Sequence, residues 1–286
     1  MECRLCHEDK ELINSHIIPK VFFKFIYPEN NEESLIMIGK NVPNKRRPIG
    51  SYEKLLYKDC DQMLGVYDNY AQNLLLKQAL QFYPNTDLAY KIDDYSYVKL
   101  KLFFLSLLWR SSISDLEEFC NIDIGPFEER LEELIRSESV GGADDFSVFI
   151  AKFDSENEKI KGIAEKNILF PAKQKINGLN YSIFYLSNAY KIYIKVDKRG
   201  TPDVFKELIL KDGKSLLIMR LDNFEKSPEF ICFFSRELIS LKVLSNFSEF
   251  NESVFTKTTP VLEKKMFGQL LFKMNSFLWL AILSII

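Results

Sequence analysis

The chain has 286 residues, 47% of them hydrophobic with 24 Phe and 13 Tyr, enough to build a real core and to exclude wholesale disorder. The formal net charge of −2 excludes a global attraction to nucleic acid, so any contact with DNA must use a local basic surface. The length suits two domains, or one domain carrying a smaller module.

Five Cys and an N-terminus that places Glu2 and Arg4 where a leader would be apolar imply a reduced, cytoplasmic protein. In that setting Cys-x-x-Cys is metal-binding or redox-active more often than disulfide-bonded. The chain holds only 5 Cys and 2 His, yet Cys3, Cys6, His7 and His16 all fall by residue 16, in "CRLCHEDKELINSHIIPK". Such crowding reads as a site.

Residues 1 to about 50 carry Pro19, Pro28, Pro43 and Pro48 and predict loops joining short strands. "INSHIIPKVFF" is a short strand or a turn leaving one. "NKRRP" contains the densest basic run, Lys45, Arg46 and Arg47, a candidate for phosphate contacts. From Cys60 to about Leu80 the pattern turns helical. Leu64, Tyr67, Ala71, Leu74 and Leu75 share one face, and Gly65 weakens the first turn.

A strongly apolar helix is expected from Val98 to about Arg110, where Arg110 is either a helix C-terminal charge or a buried ion-pair partner. "GPFEERLEELIRSE" predicts an amphipathic helix led by Pro126, with Phe127, Leu131, Leu134 and Ile135 inward and a solvated acidic face. After "VGGADD" come short β-branched and aromatic runs. In "YKIYIKV" the alternation puts Tyr190, Ile192, Ile194 and Val196 on one face and Lys191, Tyr193 and Lys195 on the other. An antiparallel sheet and a C-terminal helix around 261–283 follow. The uncharged run 274–286 is shorter than the ~20 residues of a spanning helix, so a membrane partner is not expected.

The fold class expected is α+β. An N-terminal zinc module occupies 1–85, and an α+β region occupies 86–286, with helices about 96–138 and strands about 146–235.

Zinc needs four tetrahedral ligands, commonly from two short Cys-x-x-Cys loops. Cys3 and Cys6 make one; Cys60, at the predicted start of the helix, is the only plausible start on a second. Tyr57 stands where a fourth Cys would complete it, leaving His7, His16 or the weaker Asp59 as the remaining donor. Cys120 and Cys232, in "LEEFC" and "FICFF", read as core residues. The chain lacks G-x-x-x-x-G-K-[ST], G-x-G-x-x-G and G-x-S-x-G, so no small-molecule cofactor is expected.

"CRLC…SHIIPK…GSYEKLLYKDCDQML" resembles the zinc-containing HNH endonucleases, with the strong part of the match over about 1–80 and a weaker part to about 135, including "FFLSLLWRSS". The resemblance implies a treble-clef, ββα-metal core, with Cys3, Cys6 and Cys60 on structural zinc. It also implies His16 as general base for hydrolysis of DNA and a separate catalytic cation, Mg or Mn, to which Asp61 is the best-placed oxygen donor. The sequence departs from that pattern at Tyr57, where the family has Cys, and at Ser15, where many members have Asp. The helix ligand, His or Asn in the family, is replaced here by Asp61-Gln62. A non-catalytic descendant, a zinc-binding module for nucleic acid or protein, is the alternative reading.

Overall fold

Strand β1 (Leu12–His16) and strand β4 (Tyr52–Tyr57) pair antiparallel, with a bulge between Ile13 and Asn14, and lie next to the N-terminal turn. The computed structural model describes residues 1–24, 35–37, 45–47, 50–166, 168–169 and 171–222; the expected strand over 229–234, Cys232 and the C-terminal helix lie outside them. Between β1 and β4 come the short helix α1 (Lys20–Lys24) and an antiparallel ribbon of β2 (Leu35–Met37) and β3 (Lys45–Arg47). Gly50 enters β4 at φ +62°, and a Cβ there would lie 2.7 Å from the Phe23 ring, so the close approach needs glycine.

Helix α2 (Lys58–Gln72) starts without a linker at the end of β4 and runs into a π turn, Asn73–Lys77. Leu64, Tyr67, Ala71, Leu74 and Leu75 are all buried, the face that the spacing predicts. Helix α3 (Tyr97–Ser112) is capped by the Ser96 hydroxyl, which accepts from the Lys99 N–H, and is buried on almost every side. Helix α4 (Glu128–Arg136) follows a 3-10 turn, Gly125–Phe127, in which Pro126 supplies the preset φ; Leu131, Leu134 and Ile135 face inward.

The sheet corrects the expectation of a wholly antiparallel arrangement. It has seven strands and is mixed, in the order β5 (Gln81–Phe82), β6 (Ala89–Ile92), β11 (Leu216–Leu221), β7 (Val148–Phe153), β10 (Tyr190–Lys195), β9 (Leu179–Leu186), β8 (Ala172–Ile176). Strand β11 inserts between β6 and β7 and runs parallel to β7; the other neighbours are antiparallel. Its apolar run, with Ile218 and Met219 buried, demands an interior place. Helix α5 (Glu158–Glu165) sits in the connection after β7.

Strand β10 keeps the expected alternation, and every residue in it is buried, lysines included. Tyr190, Ile192 and Ile194 join the main core. On the opposite face Tyr193 stacks on Phe149 at 4.2 Å, and Phe149 also meets Tyr181 and Phe205. A second apolar layer therefore covers the face that carries the lysines. One core runs from Cys3 through α3 to Ile218. Among the described residues no helix is long and apolar enough to cross a membrane.

Two buried cations matter most. Arg110 is 2% exposed, and all five of its N–H donors find acceptors. Nη1 donates to the His16 carbonyl at 3.0 Å and to Asp68 Oδ2 at 3.0 Å; Nη2 donates to Asp68 Oδ1 at 2.8 Å and to the Ser106 hydroxyl; Nε donates to the Ser106 carbonyl. The fork thus ties α3 to α2 and to the end of β1. Asp68→Ala leaves this guanidinium buried without its counter-charge and should lower stability by roughly 3 kcal/mol, while Arg110→Met with Asp68→Leu should cost far less. Urea midpoints of the variants check both.

Lys101, 1% exposed, donates from Nζ to the carbonyls of Asp145 (2.8 Å) and Phe146 (2.6 Å). Burial, only partly offset by Asp145, pulls its pKa down to about 7 from an ordinary 10.5. Between those values the unfolded chain holds a proton that the folded chain has released, so stability climbs with pH across that window. Measured against Lys101→Met by denaturant titration from pH 7 to 10, the wild type should gain stability as pH rises; a flat difference would refute the assignment.

Candidate metal centre

The sulfurs of Cys3, Cys6 and Cys60 lie within 4.8 Å of one another and could hold a metal ion such as zinc. Three elements converge to make this possible. The N-terminal loop forms a tight turn in which the His7 N–H donates to the Cys3 carbonyl (2.9 Å) and the Cys3 N–H to the Glu8 carbonyl (3.0 Å). His7 adopts φ 60° to close it. The Arg4 N–H donates to the Leu55 carbonyl at 3.0 Å, fastening the turn to β4. Cys60 comes from the first turn of α2.

The donor set suits the metal. A Zn–S bond of ~2.3 Å in a tetrahedron sets sulfurs ~3.8 Å apart, so closing from 4.8 Å takes only small side-chain rotations. Cys3 is wholly buried; Cys6 and Cys60 are half-buried. Burial pushes the Cys3 thiol up, but N–H donors of Cys6, Tyr57 and Leu5 outweigh it and hold its pKa below the usual thiol value. The Tyr57 N–H lies 3.3 Å from that sulfur. Cys60 goes the other way, to about 12, through burial and then the adjacent Cys6 and Cys3 sulfurs. The first thiolate forms readily and the last is resisted by its neighbours. A bound cation removes that resistance, so binding would release protons.

The proposed fourth donors are placed elsewhere. The His7 ring is held at both nitrogens: Nδ1 lies 3.0 Å from Glu2 Oε1, and Nε2 lies 2.7 Å from Glu132 Oε1. Those carboxylates raise its pKa, Glu132 most. The Asp59 carboxylate raises the pKa of the Tyr57 hydroxyl, and Lys10 sits over the Tyr57 ring at 4.2 Å. His16 does not join the three sulfurs. It ends β1 opposite Tyr52, the rings 5.9 Å apart. Burial lowers its pKa, against the pull of Asp61, the strongest charge acting on it. Asp61, Gly65 and Asp68 follow one line of α2, and nothing lies within 4 Å of where a Gly65 Cβ would stand. Ser15 is wholly buried, its hydroxyl without a hydrogen-bond partner among the described residues.

Lys45, Arg46 and Arg47 form β3; their side chains lie outside the described residues. Cys120, expected in the core, is exposed. It follows the 3-10 turn Glu117–Phe119, in which Glu118 and Phe119 take the buried positions and the next side chain points out. Glu132 is the residue that the sequence reading missed. It belongs to the acidic face of α4 expected to be solvated, yet it pairs with His7 from 125 positions away. Comparison with protein-family models, curated proteins and solved structures finds no match for the chain.

Removing one sulfur should empty the centre. Cys60→Ser and Cys3→Ser should each cut bound zinc from about one per chain to a small fraction and lower the melting temperature, since metal-binding energy is folding energy. Elemental analysis and calorimetry of the purified variants measure both.

Proposed function

We propose that the chain is an HNH-type, zinc-stabilised nuclease-like protein that hydrolyses DNA phosphodiesters, with His16 as general base and Asp61 as a ligand for Mg or Mn. The observation that carries this reading is the direct succession of β4 into α2. It puts Cys60 of the cysteine trio and Asp61 side by side in the first helical turn, and Asp61 is the strongest charge acting on His16. With β1 paired to β4, this makes a ββα unit in which zinc plays a structural part, as in a treble clef.

His16 suits a base because burial keeps its imidazole neutral near pH 7 and ready to take a proton from water. The Arg110 fork holds its backbone through the carbonyl, and the guanidinium charge adds to the lowering of the ring's pKa. Bare helix surface at Gly65 leaves room beside Asp61. A divalent ion, when bound, would polarise the phosphate and stabilise the leaving oxygen. Basic residues 45–47 would contact neighbouring phosphates.

A second reading, a non-catalytic zinc module binding nucleic acid or protein, draws on Ser15. Its hydroxyl is buried on the face of β1 opposite His16, so it adds no oxygen to a cation beside that histidine. The metal site would then depend on Asp61 with little help.

Nicking of supercoiled plasmid in Mg or Mn separates the two. The nuclease reading expects cleavage that His16→Ala lowers at least ~100-fold, with zinc content unchanged. Absence of cleavage by the wild type in either ion would favour the binding module.

A further inference from the structure

We propose that a metal held by Cys3, Cys6 and Cys60 takes its fourth ligand from outside the described chain, a neutral nitrogen donor or water, and that Glu2 and Glu132 keep His7 out of the coordination shell. The inference rests on reading the trio as a metal site.

Among the described residues His7, the donor next to Cys6 in sequence, is committed elsewhere. His7 follows Cys6 directly and is the natural fourth ligand, but a metal-binding imidazole needs one nitrogen free, and carboxylates hold both. Glu132 is the firmer hold: its side chain is only 19% exposed, and α4, which carries it, is anchored in the core by Leu131, Leu134 and Ile135. The Tyr57 ring packs under Lys10, and the Asp59 carboxylate raises the pKa of the Tyr57 hydroxyl. Among the described residues the metal-binding group stops at three sulfurs.

Charge and access decide what completes the shell. Three thiolates on a divalent cation carry net charge −1; a neutral fourth donor leaves that charge as it is, whereas a fourth anion adds to the charge held beside the buried Cys3. Cys3 closes the inner side, whereas Cys6 and Cys60 keep partial exposure and leave an approach from solvent. A position left open on such a shell is one at which ligands can exchange. Exchange here is substitution alone: one neutral ligand leaves as another binds, with no change of oxidation state.

The test uses the full chain loaded with Co(II) in place of zinc, titrated with imidazole and followed by visible absorption and by metal content. The expected result is a saturable shift of the d–d bands with cobalt retained at its starting stoichiometry. In Glu2→Ala/Glu132→Ala the freed His7 should enter the shell and weaken the imidazole response by about tenfold or more, and adding His7→Ala should restore it. A spectrum indifferent to imidazole while cobalt stays bound would show that the chain closes its own shell and would overturn the inference, leaving the trio intact. Failure to bind cobalt, or binding unaffected by Cys60→Ser, would overturn the metal site itself.

Discussion

A single buried guanidinium governs how the candidate site is built. Arg110 stands near the C-terminal end of α3 with no water to satisfy it, so its five donors must find protein acceptors or the helix cannot stay buried. They find Asp68 on α2 and the carbonyl of His16 at the end of β1. This geometry fixes the distance between the strand that carries His16 and the helix that carries Asp61. Because a bidentate fork is directional, it sets orientation as well as spacing, which a greasy contact between the same elements would not do.

The opposite end of α2 is set by sulfur. Without a cation, the trio is electrostatically frustrated: backbone N–H groups draw Cys3 toward the thiolate while Cys60 resists ionisation beside its neighbours. Such an arrangement is poorly suited to a plain apolar core, where three neutral thiols would gain nothing from N–H groups converging on one of them. It is well suited to a site that ionises in steps as a metal arrives. The salt link from His7 to Glu132 then ties this turn to α4, so the N-terminal loop is braced by three elements: β4, α2 and α4.

Legibility followed distance along the chain. The inward face of α2, the extent of α3 and the grouping of Cys3, Cys6 and Cys60 were readable, because each depends on short spacings or on few residues of a rare type. The sheet order was not, since placing β11 between β6 and β7 is decided by which edges are left to pair, and no local pattern encodes that. The alternation in β10 was real, but it sorted residues between two apolar layers and not between core and water. Lys191 and Lys195 lie on the second of those faces and are buried with it. Cys120 misled because the inward positions of its turn are taken by Glu118 and Phe119, and the next side chain points out. The partnership of His7 with Glu132 had no local signal at all.

Cys60 and Asp61 are consecutive on α2, and successive helical residues point about 100° apart. One helical turn therefore presents a soft donor to the cysteine side and a hard donor to the His16 side. In the proposed reading this separation, and not a difference in affinity, is what keeps two cations apart: thiolates select zinc-like ions, while a carboxylate beside an imidazole suits magnesium or manganese. It also couples the sites mechanically. Any change that frees the trio unpins the first turn of α2, and Asp61 moves with it, so loss of the structural metal would disturb the His16 side without touching one of its residues.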